Sequence, residues 1–218
     1  MLTDAELDHT MGIALLREAR CLPLYATAAV AAVLDEDSRI LPVTRAFAEV
    51  PLTEVPLDRP IPLRYRDGAP SGLTLEAFAV AGDPPRFARR EEPGHTVGLL
   101  IQGDRGKSCA FVPGCGALDG PLLARLASAE LVLFDGTFWT DDELVKLGIS
   151  DRTAHEMDHL PVSGPDGSLE RLGGLPSRYR VYTHINNTNP MLLERSPERQ
   201  LVEGRGVVVG MDGMRFEV

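Results

Sequence analysis

Four short clusters carry side chains able to do chemistry, and His is scarce enough, five in 218 residues, for each one to be followed. Near the start, Asp4-Ala5-Glu6-Leu7-Asp8-His9, followed by Gly12, crowds carboxylates and an imidazole together. On a loop leaving a strand these oxygens and nitrogen converge as a divalent cation requires. On an opening helix the acids would instead complement the macrodipole. The run Val181-Tyr182-Thr183-His184-Ile185-Asn186-Asn187-Thr188-Asn189-Pro190 reads as a strand ending in His184 before an Asn-rich turn. That place suits a ligand or a base, or a structural His with the Asn residues shaping the turn. His155-Glu156-Met157-Asp158-His159 fits H-E-x-x-H, which puts two His on one helix face around zinc. Pro161 and Gly164 stop such a helix at once, and no third ligand follows nearby. Last, the apolar run Leu131-Val132-Leu133-Phe134 delivers Asp135 to a strand end beside the single Trp, Trp139. Asp135 is there a ligand carboxylate, a support behind one, or the cap of the next segment.

The elements that must position these clusters read as mixed α and β. Thr27–Glu36 is an alanine-rich helix, and Leu73–Val80 alternates as a strand. Val97–Gln102 and Ser108–Val112 flank Gly103-Asp104-Arg105-Gly106 as a hairpin-like pair. Pro121–Ser128 is a helix with Pro in its first turn. Leu131–Phe134 is a buried strand, and Thr140–Leu147 a helix capped by Thr140 with Gly148 after it. Arg180–Ile185 is a strand, and Ser196–Val202 a helix. Gly206–Val209 and Met214–Val218 are terminal strands, and the proline-rich stretch Pro51–Pro70 is a long loop or hinge. Pro113-Gly114-Cys115-Gly116 is only loosely a phosphate loop, because the next Gly is Gly120. The expectation is a single α+β domain over residues 1–218.

Composition bounds the partners. With 44% hydrophobic and 25% charged residues the chain is of ordinary globular type. A net charge of -10 with no Lys/Arg run disfavours nucleic acid and anionic membrane. Three cysteines, Cys21, Cys109 and Cys115, leave one unpaired and fit a reducing cytoplasm. The start MLTDAELDHTMG lacks the basic and apolar regions of a signal peptide.

Taken together, TDAELDHTMG, PGCGALDG, ELVLFDGTFWTDDEL, HEMDHLPVSGPDGSLE, THINNTNPML and SPERQLVEGRGVVVGMDGMRFEV resemble the pyrroloquinoline quinone (PQQ) biosynthesis protein B family, a branch of the metallo-β-lactamase superfamily. The resemblance implies a metallo-β-lactamase-like αββα sandwich with metal at one rim, here N-terminally truncated. The hydrolases of the superfamily carry H-x-H-x-D-H after a strand; the same frame here reads Asp4-x-Glu6-x-Asp8-His9. Their bridging Asp follows a Gly, and the similar spot here is Cys115 after Gly114. What survives is Asp8, His9 and His184, two imidazoles and a carboxylate with open positions, a set that suits non-haem Fe(II). The implied activity is therefore an iron-dependent oxygenase hydroxylating a tyrosine-derived precursor of the quinone, with molecular oxygen as co-substrate and zinc as the alternative metal. On this reading Asp4 and Glu6 orient the ligands or accept a proton, and His159 is an acid or base near the substrate. Asp135 lies at or behind the metal, and His95, in Pro-Gly-His95-Thr-Val-Gly98, resembles the superfamily's third histidine and is a further ligand candidate.

The competing readings are a metal-dependent hydrolase and a non-enzymatic carrier of the quinone or its precursor. The implied partners are a small peptide-derived or quinone precursor, and a second copy of the chain or a complementing N-terminal segment. In the resembling family the metal motif lies well inside the chain, after several strands and a zinc-binding cysteine segment. A chain beginning at Met1 is expected to expose a sheet edge and part of the core, and so to be poorly soluble or to depend on a partner.

Overall fold

Alternation along the strands decides the layering. The computed structural model describes residues 1–16 and 18–218. Helix α1 (Leu7–Leu15) leads to strand β1 (Leu24–Ala26), helix α2 (Ala28–Ala32), helix α3 (Ile40–Arg45) and strand β2 (Leu52–Glu54). Strands β3 (Ile61–Arg64), β4 (Pro70–Ala79), β5 (Val97–Gly103) and β6 (Ser108–Val112) follow, then α4 (Gly120–Ala127), β7 (Leu131–Asp135), α5 (Glu143–Lys146), α6 (Ser168–Gly173), β8 (Tyr179–Thr183), α7 (Pro197–Gly204) and β9 (Val208–Val209). Strands β1 and β2 pair in parallel, and β3 to β9 form a seven-stranded sheet in sequential order. Its first four strands run antiparallel and its last four parallel. Parallel neighbours need crossovers, which α4, the α5–α6 segment and α7 supply.

Leu122, Leu126, Leu169, Leu172 and Val202 from these helices pack on Ala110, Val112, Val132, Phe134, Tyr182 and Val209 of the sheet. On the other face, Leu75, Ala77, Val97 and Leu99 meet Val55 and Tyr25. The neighbours of Tyr25 on β1, Leu24 and Ala26, point the opposite way, into Val30, Val33, Leu34 and Leu41 of the N-terminal helices. The two-stranded β1–β2 sheet thus separates a helical layer from the large sheet, giving the αββα order. Residues 2 and 3 lie between the two sheets, with Leu2 N bonded to the Tyr25 carbonyl and Val97 N to that of Thr3. Among the described residues, no helix is long and apolar enough to cross a membrane.

Several local expectations are corrected. The stretch Pro51–Pro70 is not a loop throughout but contains β2 and β3, because Ile61 and Leu63 are drawn onto the apolar face of the large sheet. Met214–Val218 forms no strand. The helix after Trp139 is shorter than its pattern: Asp142, not Thr140, is the cap, and Thr140 Oγ1 donates to Asp142 Oδ1. The alanine-rich helix begins one residue later than expected, with Thr27 as its cap, whose hydroxyl accepts from Val30 N, then widens into a π-helical turn at Val33–Asp37.

Candidate metal centre

The strand β7 is buried along most of its length and ends at Asp135, whose side chain is 0% exposed. Such a carboxylate survives only if its oxygens are satisfied. Asp135 Oδ1 accepts from Thr137 N at 3.0 Å and Thr137 Oγ1 at 2.6 Å; Oδ2 accepts from Cys115 N at 3.0 Å and His159 Nδ1 at 2.7 Å. Burial pushes its pKa up, but the hydrogen bonds from His159 and Thr137, with the His184 imidazole 3.9 Å away, outweigh this and hold the carboxyl below the ordinary range. Gly136 is required between them: a Cβ there would lie 2.9 Å from Met191 Cε and Tyr182 Cβ.

The parallel register pairs Asp135 with Thr183, which sets His184 beside the same strand end. His184 takes the left-handed conformation, φ 53°, uncommon without glycine. Thr137 holds it, with Oγ1 2.7 Å from Nδ1. His159 follows Asp158, also left-handed at φ 60°. Its ring stacks on His184 with centroids 5.4 Å apart and meets the edge of Phe138. Burial lowers the His159 pKa and the Asp135 hydrogen bond and charge raise it, with a net upward shift.

The N-terminal cluster proves to be both loop and helix start. Asp4 precedes the helix, and Glu6 is the N-cap of α1 without a side-chain cap bond. Asp4 is buried; its Oδ1 accepts from His9 Nδ1 at 2.7 Å and Glu6 N at 3.0 Å, and Oδ2 from Thr3 Oγ1 at 2.9 Å. These bonds outweigh burial and keep the Asp4 carboxyl low. The Asp4 hydrogen bond, against burial, raises the His9 pKa. Burial, then the charges of Asp4, Asp8 and Asp158, raise that of Glu6.

The centre closes where His9 Nε2 lies 2.8 Å from His184 Nε2, across 175 residues of chain, with Asp8 Oδ2 3.7 Å from His9 Nε2. The network assigns the tautomers. His9 Nδ1–H donates to Asp4. The Thr137 hydroxyl gives its proton to Asp135 and accepts from His184 Nδ1–H. Both Nε2 atoms then turn lone pairs toward one another, an arrangement that needs a cation or a proton between them. The donor set therefore fits a metal: Asp8, His9 and His184 form one group of convergent donors, and Asp135, His159 and His184 a second that shares His184. Of these donors Asp8, His9, His159 and His184, together with Asp4 and Glu6, line a cleft of about 600 Å³, while Asp135 lies buried behind it.

Two candidates fall elsewhere. His95 belongs to neither donor group; its ring is buried, and both nitrogens lack hydrogen-bond partners among the described residues. The H-E-x-x-H pattern is no zinc helix. Only His155–Met157 is helical, as a 3₁₀ turn, and Asp158 reverses the chain. His155 Nδ1 then pairs with Asp141 at 2.7 Å while His159 turns to Asp135. Cys115 contributes its amide to Asp135 and not its sulfur: Sγ donates to the Ala117 carbonyl, and burial pushes the thiol up to about 12. Sequence reasoning missed Thr137; a hydroxyl two residues beyond a strand-end Asp, where side chain and backbone close a turn, was its signal.

Residues 1–185 match the family model described as beta-lactamase superfamily domain. The coenzyme PQQ synthesis protein B of Gluconacetobacter diazotrophicus is 41% identical over 223 residues, covering 99% of this chain and 72% of that protein. That of Cupriavidus necator is also 41% identical, with the same coverage. The chain belongs to the coenzyme PQQ synthesis protein B family. A solved structure of this family, Zn(2+)-bound PqqB from Methylobacterium extorquens, superimposes with a TM-score of 0.85 at 32% identity, over all of this chain and 72% of that one. A diphosphatase of the PhnP family shares the fold at 17% identity and a TM-score of 0.60. The αββα sandwich is thus that of the family, and the candidate metal donors occupy one rim of it.

Proposed function

We propose that this chain acts in PQQ biosynthesis as a metal-dependent oxygenase that hydroxylates a tyrosine-derived precursor of the quinone. Family membership supports the pathway. The observation that carries the chemistry is the convergence of His9 Nε2, His184 Nε2 and Asp8 on one point. Two imidazoles and a carboxylate with open positions are the donor set of non-haem iron oxygenases, and mononuclear zinc hydrolases also use such a set, so iron titration and turnover decide between them. A bound Fe(II) would supply activation of molecular oxygen, for a net reaction that would place one oxygen atom on the aromatic ring and release the other as water, with two protons and two electrons drawn from an external reductant. The protein's own residues orient and move protons. Asp4 fixes the His9 ring through Nδ1, and Thr137 fixes His184 in the same way. His159, backed by the Asp135 carboxylate, presents Nε2 to the cleft as the acid or base that exchanges a proton with the substrate phenol. Glu6, whose carboxyl holds its proton to higher pH than usual, is a second proton carrier at the same wall.

Anaerobic titration of the metal-free chain with Fe(II) tests this. One ion per chain is expected to bind in the wild type, and His184→Ala is expected to lose that binding. A His184→Ala variant with full iron affinity would sink the reading. A zinc hydrolase is the second reading, favoured by the zinc in the Methylobacterium extorquens structure. Against it, Asp4 stands where the hydrolases carry a ligand His and is engaged with His9 Nδ1. Turnover of an ester or phosphodiester with two zinc ions per chain would favour the hydrolase.

A further inference from the structure

The cleft has cations as well as acids. Arg86, from the loop between β4 and β5, and Arg152, from the segment before His155, both line it. Among the described residues four arginines are partly buried: Arg125, Arg152, Arg180 and Arg199. Arg125 pairs with Asp58 and Glu76, Arg180 donates to the Leu175 and Gly206 carbonyls, and Arg199 pairs with Glu203. Arg152 alone among these four has no side-chain hydrogen bond or ion pair; its one bond is from its backbone N to Ser150 Oγ. No guanidinium nitrogen of Arg152 is both buried and unpartnered, so the stem is covered while the fork stays hydrated and uncommitted at the cleft. A planar fork of donors left free at a cleft wall is the form in which a carboxylate is recognised. Arg86 is exposed and also without a side-chain partner, so a second cation stands on the same lining. Phe87 and Met157, partly buried, add an apolar wall next in sequence to Arg86 and near Arg152, suited to an aromatic ring.

We infer that Arg152, assisted by Arg86, binds a carboxylate of the substrate and so selects an aromatic acid, orienting its ring along Phe87 and Met157 toward the metal donors. The inference rests on the reading of the cleft as a site for an amino-acid-derived aromatic precursor. It adds that the free acid, not an amide or ester, is the species accepted. It also assigns opposite tasks to the two kinds of charge in the cleft: Asp4, Glu6 and Asp8 serve metal and protons, and the arginines serve the substrate.

The test is calorimetric binding of N-acetyl-L-tyrosine and of uncharged N-acetyl-L-tyrosinamide to the full chain, metal-free and zinc-loaded, at low and moderate salt. Expected is a preference for the acid of about tenfold in both metal states, weakening as salt rises. Arg152→Gln should abolish the preference, Arg152→Lys should keep part of it, and Arg86→Gln should reduce it less. An unchanged thermal midpoint and zinc stoichiometry show that each variant is folded. Equal affinities for the two probes, no measurable binding of either, or a preference that survives in the Arg86→Gln/Arg152→Gln double variant would overturn the assignment. So would inorganic phosphate displacing the acid as effectively as unlabelled acid does, since that marks a general anion site. Because binding is read without turnover, the two readings fail separately: an intact preference without hydroxylation removes only the oxygenase, and hydroxylation without a preference removes only this one.

Discussion

His9 and His159 each donate a hydrogen bond to a buried carboxylate, and those bonds set how the centre responds to pH. Both imidazoles have raised pKa values, through Asp4 and Asp135 respectively, and of the two His9 is the proposed ligand, which a metal binds only as the neutral ring. Metal affinity is therefore expected to begin falling, as pH is lowered, at a higher pH than for free imidazole, about 6.5; zinc or iron titrations across pH 5.5–8.5 check this. In the metal-free chain the same shifts act on stability. A raised His contributes fully below its unfolded value and loses that contribution as pH rises through the folded value. Asp4 and Asp135, held low, contribute above their unfolded value and lose it as pH falls through the folded one. Metal-free stability should thus peak between about pH 4 and about pH 6.5, and urea unfolding at stepped pH reads the maximum. The backbone next to His159 is a separate residue-scale feature. Asp158 sits at φ 60° beside Gly116, and Asp158→Gly is expected to relieve about 1 kcal/mol of strain without loss of metal binding, measured by denaturant midpoint.

Among the elements, the parallel pair β7–β8 does most to build the centre. Its register places Asp135 opposite Thr183, so that the residues just past both strand ends converge. Gly136 lets the chain turn tightly against Tyr182 and Met191, and the turn carries Thr137 into reach of Asp135 and His184 together. Gly136→Ala forces its methyl onto the rigid Tyr182 Cβ. It is expected to cost about 1–3 kcal/mol and to weaken metal binding beyond that loss of stability, seen by comparing thermal melts with zinc titrations. Helix α1 supplies the other half, and it illustrates why the two readings of the N-terminal cluster did not exclude each other. The acids precede and open a helix, as the macrodipole favours, while Asp8 and His9 in its first turn face the strand ends.

At the scale of the whole molecule, the centre joins the two halves of the fold. His9 belongs to the N-terminal layer and His184 to the rim of the large sheet, so a metal held by both ties the layers as a cross-link would. A ligand that binds only the folded state stabilises it by about 2.7 kcal/mol at one hundred times its dissociation constant. For a chain of this size that is a rise of roughly 5–10 °C in thermal midpoint. Zinc should produce this rise in the wild type and not in His9→Gln, as followed by calorimetry.

The amino-acid sequence by itself determined the chemistry on offer. The residue types Asp4, Glu6, Asp8, His9, Asp135, His159 and His184 and the motifs around them were legible because metal donors are few and distinctive. The periodic strands and capped helices were legible because alternation and caps are local properties. Only the tertiary structure decided which donors meet. His9 and His184 are adjacent through strand register and layer packing, which no local pattern encodes. The same packing removed His95 from both donor groups, turned His155 to Asp141, gave Cys115 an amide role, and made Thr137 the link between the carboxylate and the imidazole. It also turned part of the proline-rich stretch into strands, since apolar residues such as Ile61 and Leu63 pair with a sheet edge that exists only after the rest has folded.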